Sequence, residues 1–234
     1  MTRKTKSHIT SNSILVFSIF ALMFSACGQT RSDHAKQKSS FKTFELDFDF
    51  KVTVGEEKNF GTFTTYTYFR LDKDNSTIYL DTLSNEYEFG NNLFPIVMQT
   101  GENSFELLFE INDRPSKNYL KRLFFSNNKL VEQDKLPIFE AKAQDINGDG
   151  IEEYAGYWDY AQAWGENNSL TAYNPILYYS VTKTGLKLDS VMTRKRNEVI
   201  YVEFYGFSFS EKDVQPISIV EKFERELKSI RNEQ

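Results

Sequence analysis

A chain of 234 residues with 40% hydrophobic and 26% charged side chains has the make-up of a globular protein of one or two domains. It holds one Cys, so no disulfide can form within it, and two His, at positions 8 and 34. The balance of 33 acidic to 28 basic residues gives a formal charge of −5, and with no long basic stripe nucleic acid is excluded as a partner.

Residues 1–26 read as an address. Arg3, Lys4 and Lys6 precede a predominantly apolar run, Ile14–Ala26, of 13 residues. That is shorter than the roughly 20 residues of a spanning helix. A cationic start, a short apolar stretch and small residues at its end make a secretory signal. The segment closes with Phe24-Ser25-Ala26-Cys27. These four residues resemble the lipobox of bacterial lipoproteins, with Phe24 standing where Leu is commoner. The resemblance implies cleavage before Cys27 and lipidation of that residue. The mature chain would then be held to the membrane by two or three N-terminal acyl chains, enough for stable anchoring. Gly28, where an Asp would signal inner-membrane retention, implies the outer membrane. Cleavage after Gly28, with Ala26 and Gly28 as the small pair, is the alternative, and it would discard the only Cys. Loss of residues 1–26 removes three basic residues and no acid, which moves the formal charge from −5 to −8. Residues 27–43 are polar and rich in Ser and Lys, the composition of a flexible tether.

A β domain is expected over residues 44–211. From Phe44 to Val54 apolar and polar residues alternate strictly, the period of a strand with one dry face. The same period predicts strands around Phe60–Leu71, Thr77–Leu83, Phe105–Ile111 and Tyr119–Phe125. Further strands are expected at Leu130–Gln133, Phe139–Ala143, Tyr154–Tyr160, Ile176–Val181, Leu186–Val191 and Val199–Phe207. Turn residues such as Asp74-Asn75, Asn127-Asn128 and Thr184-Gly185 separate them, too closely for parallel crossovers. The expected fold is mainly β, an antiparallel meander forming a sandwich or an open barrel.

One motif carries chemistry. Residues 145–153 read Asp145-Ile146-Asn147-Gly148-Asp149-Gly150-Ile151-Glu152-Glu153. Oxygen side chains at alternate positions of a curled loop converge as a hard cation requires, and Gly148 and Gly150 let the backbone curl. The pattern resembles the calcium loop of FG-GAP (integrin-type) repeats over about 20 residues, Phe139–Trp158. Carried over, the resemblance makes Asp145, Asn147, Asp149, the Ile151 carbonyl and Glu153 ligands of calcium, with Ile146 turned into the core. An EF-hand is rejected, because its twelfth position would be Gly156 and the sequence after the loop is β-like. A second argument needs no family. The 40 residues between Lys142 and Lys183 contain no Lys or Arg, yet four carboxylates crowd residues 145–153. Like charges that close repel by about 1 kcal/mol or more per pair, and a dication removes the cost. The bland reading is an Asn/Asp/Gly turn without an ion.

After the loop, Tyr157, Trp158, Tyr160 and Trp164 offer either a binding surface or the wall of the core. Arg194-Lys195-Arg196 reads as a solvated turn. Residues 212–234 are expected to form one amphipathic C-terminal helix packed on the β domain. Ile219, Val220, Phe223, Leu227 and Ile230 recur at helical spacing there, after Pro216 and the Ser218…Glu221 start signal. With His8 in the signal, His34 in the tether and Cys27 acylated, no His-based triad or thiol nucleophile is expected. The expected function is a non-enzymatic, monomeric binding or scaffold module of the cell envelope that meets a protein or an envelope glycan. The alternatives are an immunity lipoprotein against a lysozyme-like toxin and, less favoured, a carboxylate glycoside hydrolase.

Overall fold

The computed structural model describes residues 41–89, 93–159, 163–164, 170–171, 174–201, 204, 207, 215–216 and 220–232. Cys27, the signal segment and most of the tether lie outside these residues. The chain folds from tight hairpins. Strands β1 (Lys42–Glu45) and β2 (Phe50–Asn59) pair antiparallel, Phe44 opposite Val52. Between them Phe48 and Asp49 sit at φ of 59° and 61°, the two left-handed residues of a type I′ turn. Asp74-Asn75 and Asn127-Asn128 make the same pair of positive φ angles. The first joins β3 (Thr64–Lys73) to β4 (Ser76–Glu88), the second β7 (Tyr119–Ser126) to β8 (Lys129–Pro137).

These strands, with β5 (Ile96–Gly101) and β6 (Ser104–Ile111), form one eight-stranded antiparallel sheet. Its two halves meet at a narrow join. The 13-residue β4 pairs with β6 only through Tyr87–Ile111 and Glu88–Glu110, while β5 takes the rest of that edge of β6. The halves close on each other like a sandwich, with Val52, Val54, Phe69, Leu71 and Tyr87 against Leu107, Phe109, Leu123 and Phe125. The mainly β antiparallel fold expected from the sequence is therefore present, as an open sandwich and not a closed barrel.

A second sheet lies on the opposite face of β6 and β7. It is the antiparallel trio of β13 (Gly185–Leu188), β12 (Ile176–Thr182) and β9 (Glu153–Tyr157). Tyr154, Leu177, Tyr179 and Leu186 from this trio pack with Leu108 and Leu120. A buried ion pair between β6 and β7 faces the same interface, and one backbone hydrogen bond from β13 crosses to it. Arg122 Nη2 donates to Glu106 Oε1 at 2.5 Å, and the other Glu106 oxygen accepts the Leu186 N–H at 3.0 Å. A small third sheet joins β10 (Ala163–Trp164), β11 (Leu170–Thr171) and β14 (Gln215–Pro216).

Helices α1 (Ser190–Tyr201) and α2 (Val220–Arg231) cover the remaining face of the β9/β12 sheet. Met192, Ile200, Leu227 and Ile230 pack there with Ala155, Ile176 and Tyr178. Truncating Leu227 or Ile230 to Ala at so buried a site costs about 2–5 kcal/mol. The C-terminal helix thus packs its apolar stripe on a sheet face, over residues 220–231 of the expected 212–234. Among the described residues no helix is long and apolar enough to cross a membrane.

Three local expectations are corrected. The alternation of Phe44–Val54 is a hairpin, not one strand, because a turn at 47–50 preserves the period on both sides. Phe139–Ala143 forms only isolated bridges, Phe139 to Gly156 and Gln144 to Glu153 at its ends. Residues 190–201 are helix, although the sequence suggested strands at Leu186–Val191 and Val199–Phe207. The helix buries Thr193 and Asn197 among its apolar contacts, which hides the helical stripe. Their purpose is to finish the sheet where β13 stops. Thr193 Oγ1 accepts the Tyr178 N–H at 3.1 Å, and Asn197 bonds both the N–H and the carbonyl of Ile176 at 2.9 and 2.7 Å.

Candidate metal centre

The loop 145–152 is closed at its base by a pair of backbone hydrogen bonds. Gln144 N–H donates to the Glu153 carbonyl at 3.1 Å, and Glu153 N–H to the Gln144 carbonyl at 2.8 Å. Within it Gly148 and Gly150 adopt φ of 81° and 85°, which only glycine takes without strain. The curl turns successive N–H groups inward. Asp145 Oδ1 accepts from Gly148 at 2.7 Å and from Asp149 at 3.0 Å, and its Oδ2 accepts from Gly150 at 2.9 Å. Asn147 Oδ1 accepts the Asp149 N–H at 2.8 Å, and Asp149 Oδ1 accepts the Ile151 N–H at 2.8 Å. Asn147 Nδ2 donates to Asp149 Oδ2 at 2.9 Å. These bonds fix the loop, and an ordinary Asx-rich turn would make them too.

Glu153 is different. It begins β9 and is buried, 1% exposed. Its Oε2 accepts the Ile146 N–H at 3.0 Å, while Oε1 is buried with no hydrogen-bond partner. Burial foremost, then the charges of Asp149, Asp145 and Asp189, raises the Glu153 pKa above the usual carboxylate value, against the lowering effect of the Ile146 bond. A buried acceptor left unsatisfied is costly, and this one lies beneath a loop that carries three further carboxylates, Asp145, Asp149 and Glu152.

Residues outside the motif hold the loop from behind. Ile146 packs into the cluster formed by the two helices and the second sheet, as the motif requires. Its carbonyl accepts a hydrogen bond from Arg196 Nη2 at 2.8 Å, while Arg196 Nη1 binds Glu226 Oε1 at 3.2 Å. Gln144 Nε2 donates to the Ile230 carbonyl at 2.6 Å. Asn147 Nδ2 lies 3.8 Å from Met192 Sδ. Arg196, read from the sequence as part of a solvated turn, is half-buried and ties the loop to α1 and α2. No sequence spacing links residues so far apart; only the unlabelled helix α1 could have hinted at it.

The donor set Asp145, Asn147, Asp149, the Ile151 carbonyl and Glu153 is all oxygen, which suits calcium and not zinc or copper. The orphaned Glu153 oxygen fits that group. Among the described residues no three His, Cys, Asp or Glu side chains gather tightly enough to hold an ion. Ligation would turn Asp149 and Asn147 away from each other.

Of the aromatic residues after the loop, Tyr157 and Trp158 are half-buried. The Tyr157 ring is edge-on to Phe223 at 5.1 Å and beneath the Lys117 ammonium at 3.2 Å from the centroid. Burial pushes its phenol up to about 12. Trp158 is half-buried against both sandwich cores. Trp164 falls on β10, opposite Leu170, and Tyr160 lies outside the described residues. A separate polar cavity of about 290 Å³, lined by Asn85, Tyr119, Lys121, Gln133, Asp134 and Lys135, does not include the loop.

No protein-family model matches the chain, and no curated protein or solved structure shows significant similarity to it.

Proposed function

We propose that this protein is a lipid-anchored β domain of the bacterial cell envelope that binds one calcium ion in the 145–153 loop and acts as a non-enzymatic binding or scaffold module. The observation that carries the calcium reading is the buried, unpartnered Oε1 of Glu153 beneath Asp145 and Asp149. A dication supplies the missing partner and neutralises the crowded carboxylates together. The anchor rests on the resemblance of Phe24-Ser25-Ala26-Cys27 to a lipobox. Extracellular calcium modules bind at roughly 10⁻⁴–10⁻³ M, so the ion's role is structural: it stabilises the folded state by mass action. The partner surface is a protein or an envelope glycan.

Calorimetric titration of the detergent-solubilised full chain with CaCl₂ tests the site. One bound calcium per chain, a melting temperature lowered by chelator, and loss of both effects in Asp149→Ala are expected. A melt that ignores both calcium and chelator overturns the reading. Pull-down from envelope extracts, with and without calcium, then tests the binding role.

A further inference from the structure

Lys121 on β7 and Lys135 on β8 are partners across the antiparallel ladder. Residues directly opposite one another share a face, with Cβ atoms about 4.5–5.5 Å apart, and like charges placed so repel. Lys121 is half-buried and donates to the Tyr79 hydroxyl at 3.0 Å and to Asp81 Oδ2 at 3.4 Å. Asp81 also accepts from Ser84, Asn85 and Tyr87, so its charge is widely shared. Among the described residues Lys135 makes no ion pair and no hydrogen bond; its ammonium rests 4.3 Å from the centroid of the Tyr119 ring. The pair therefore carries positive charge that the protein does not balance.

Both lysines line the polar cavity of about 290 Å³, together with Asn85 of β4, Tyr119 of β7, and Gln133 and Asp134 of β8. Asp134 does not neutralise them. It follows the opposite pleat of β8 from Gln133 and Lys135, and its Oδ2 accepts from Arg122 Nη1 at 3.3 Å, in the network of Glu106. The neutral groups are poised for a hydroxylated ligand. Among the described residues the Tyr119 hydroxyl and the Gln133 amide make no hydrogen bond. Asn85 spends its amide N–H groups on Asp81 and Ser84 and keeps its carbonyl as an acceptor. No aliphatic side chain lines the cavity, which disfavours a lipid or other apolar occupant.

We infer that this cavity binds an acidic sugar, one carboxylate-bearing monosaccharide unit, with the carboxylate at Lys121 and Lys135 and the hydroxyls at Tyr119, Gln133 and Asn85. The anion removes the repulsion of the opposed lysines, and charge-assisted hydrogen bonds of this kind are the strong ones. A volume near the lower end of small-molecule pockets, about 300–1,000 Å³, suits one sugar unit. A bare anion would leave the neutral donors unused. The cavity does not include the 145–153 loop, so this inference stands or falls apart from the calcium reading.

Ligand-observed NMR titration of the detergent-solubilised full chain tests it, with glucuronate, galacturonate and N-acetylmuramate against glucose, galactose and N-acetylglucosamine, and with acetate as the bare anion. At least one acidic sugar should bind at least about tenfold more tightly than its neutral counterpart and than acetate. Lys135→Met keeps the side-chain stem and removes the charge. It should weaken that sugar at least about tenfold, while the ligand-free protein melts within about 2 °C of wild type, as an exposed substitution should. Tyr119→Phe should weaken the sugar about threefold or more and leave acetate unchanged. Acetate binding as tightly as the acidic sugars would reduce the cavity to an anion site and overturn the sugar assignment. Neutral and acidic sugars binding alike, Lys135→Met binding within twofold of wild type, or no binding by any of the three acidic sugars would each overturn the inference, whatever the outcome of the calcium titration.

Discussion

Replacing Glu153 by Gln keeps the volume and the acceptor for the Ile146 N–H but removes the charge. At neutral pH in chelator, the wild-type carboxylate is buried beside Asp149, Asp145 and Asp189, and its pKa is raised by burial and by those charges. A carboxyl with a raised folded-state pKa holds more protons in the folded than in the unfolded state. Stability therefore falls as pH climbs from the unfolded value, 4.5, towards the raised one. Gln does not titrate, and its amide can donate to the neighbouring carboxylates. Relieving an unsatisfied buried acceptor is worth about 1–3 kcal/mol. At roughly 2–4 °C per kcal/mol in a domain of this size, Glu153→Gln should melt about 2–12 °C higher than wild type in chelator at pH 7. That advantage should vanish below about pH 4.5, where Glu153 is protonated in both states. Calcium reverses the order. At a hundredfold excess over its dissociation constant, wild type gains about 2.7 kcal/mol, which the variant loses with its ligand. Thermal melts from pH 4 to 8, each with chelator and with about 10–100 mM CaCl₂, a hundredfold excess over the expected dissociation constant, read both effects. A variant that melts below wild type by the same margin in both solutions would refute the reasoning, and Glu153 would then be a purely structural residue.

Cys27→Ser should move the protein from the detergent-extracted membrane fraction to the soluble one, as seen by fractionation and immunoblot; retention in membranes counts against lipidation. Gly156→Ala should destabilise by about 1–3 kcal/mol, because a Cβ there meets the Ile138 carbonyl and the Phe139 ring. The urea midpoint reads that loss, and an unchanged midpoint would mean that the 138–139 segment yields freely.

Much of the sandwich was legible because its strands have one dry and one wet face. The period of two survives in β2 and β3, and paired Asn and Asp residues mark their turns. β6 was legible as a strand, but not as the wall shared by two cores. Its burial runs almost unbroken from Phe105 to Ile111, and its Glu106 and Glu110 are buried as well. Read as alternation, those acids imply a wet face; in the structure Glu106 is matched by Arg122 and a backbone N–H from β13. Strand β5 was missed, since Ile96-Val97-Met98 is too short a run after Pro95 to show a period. Helix α1 was misread because Thr193 and Asn197, polar in sequence, are buried to satisfy the edge of β12. The loop was legible in full as a motif. Its setting was not: Arg196 and the Ile230 carbonyl reach it only through tertiary packing.

The double-sided burial of β6 also orders how the protein breathes. Its two edges are taken by β4 with β5 and by β7, and both its faces by apolar layers. An amide on this strand reaches water only when the whole assembly opens, so hydrogen exchange there reports global unfolding. Strand β1 is the contrast, four residues at the sheet's margin with mostly exposed side chains. It can fray and re-zip without disturbing the centre. A chain tugged at its amino end would thus yield first at an expendable margin, while its rigid axis stays shut.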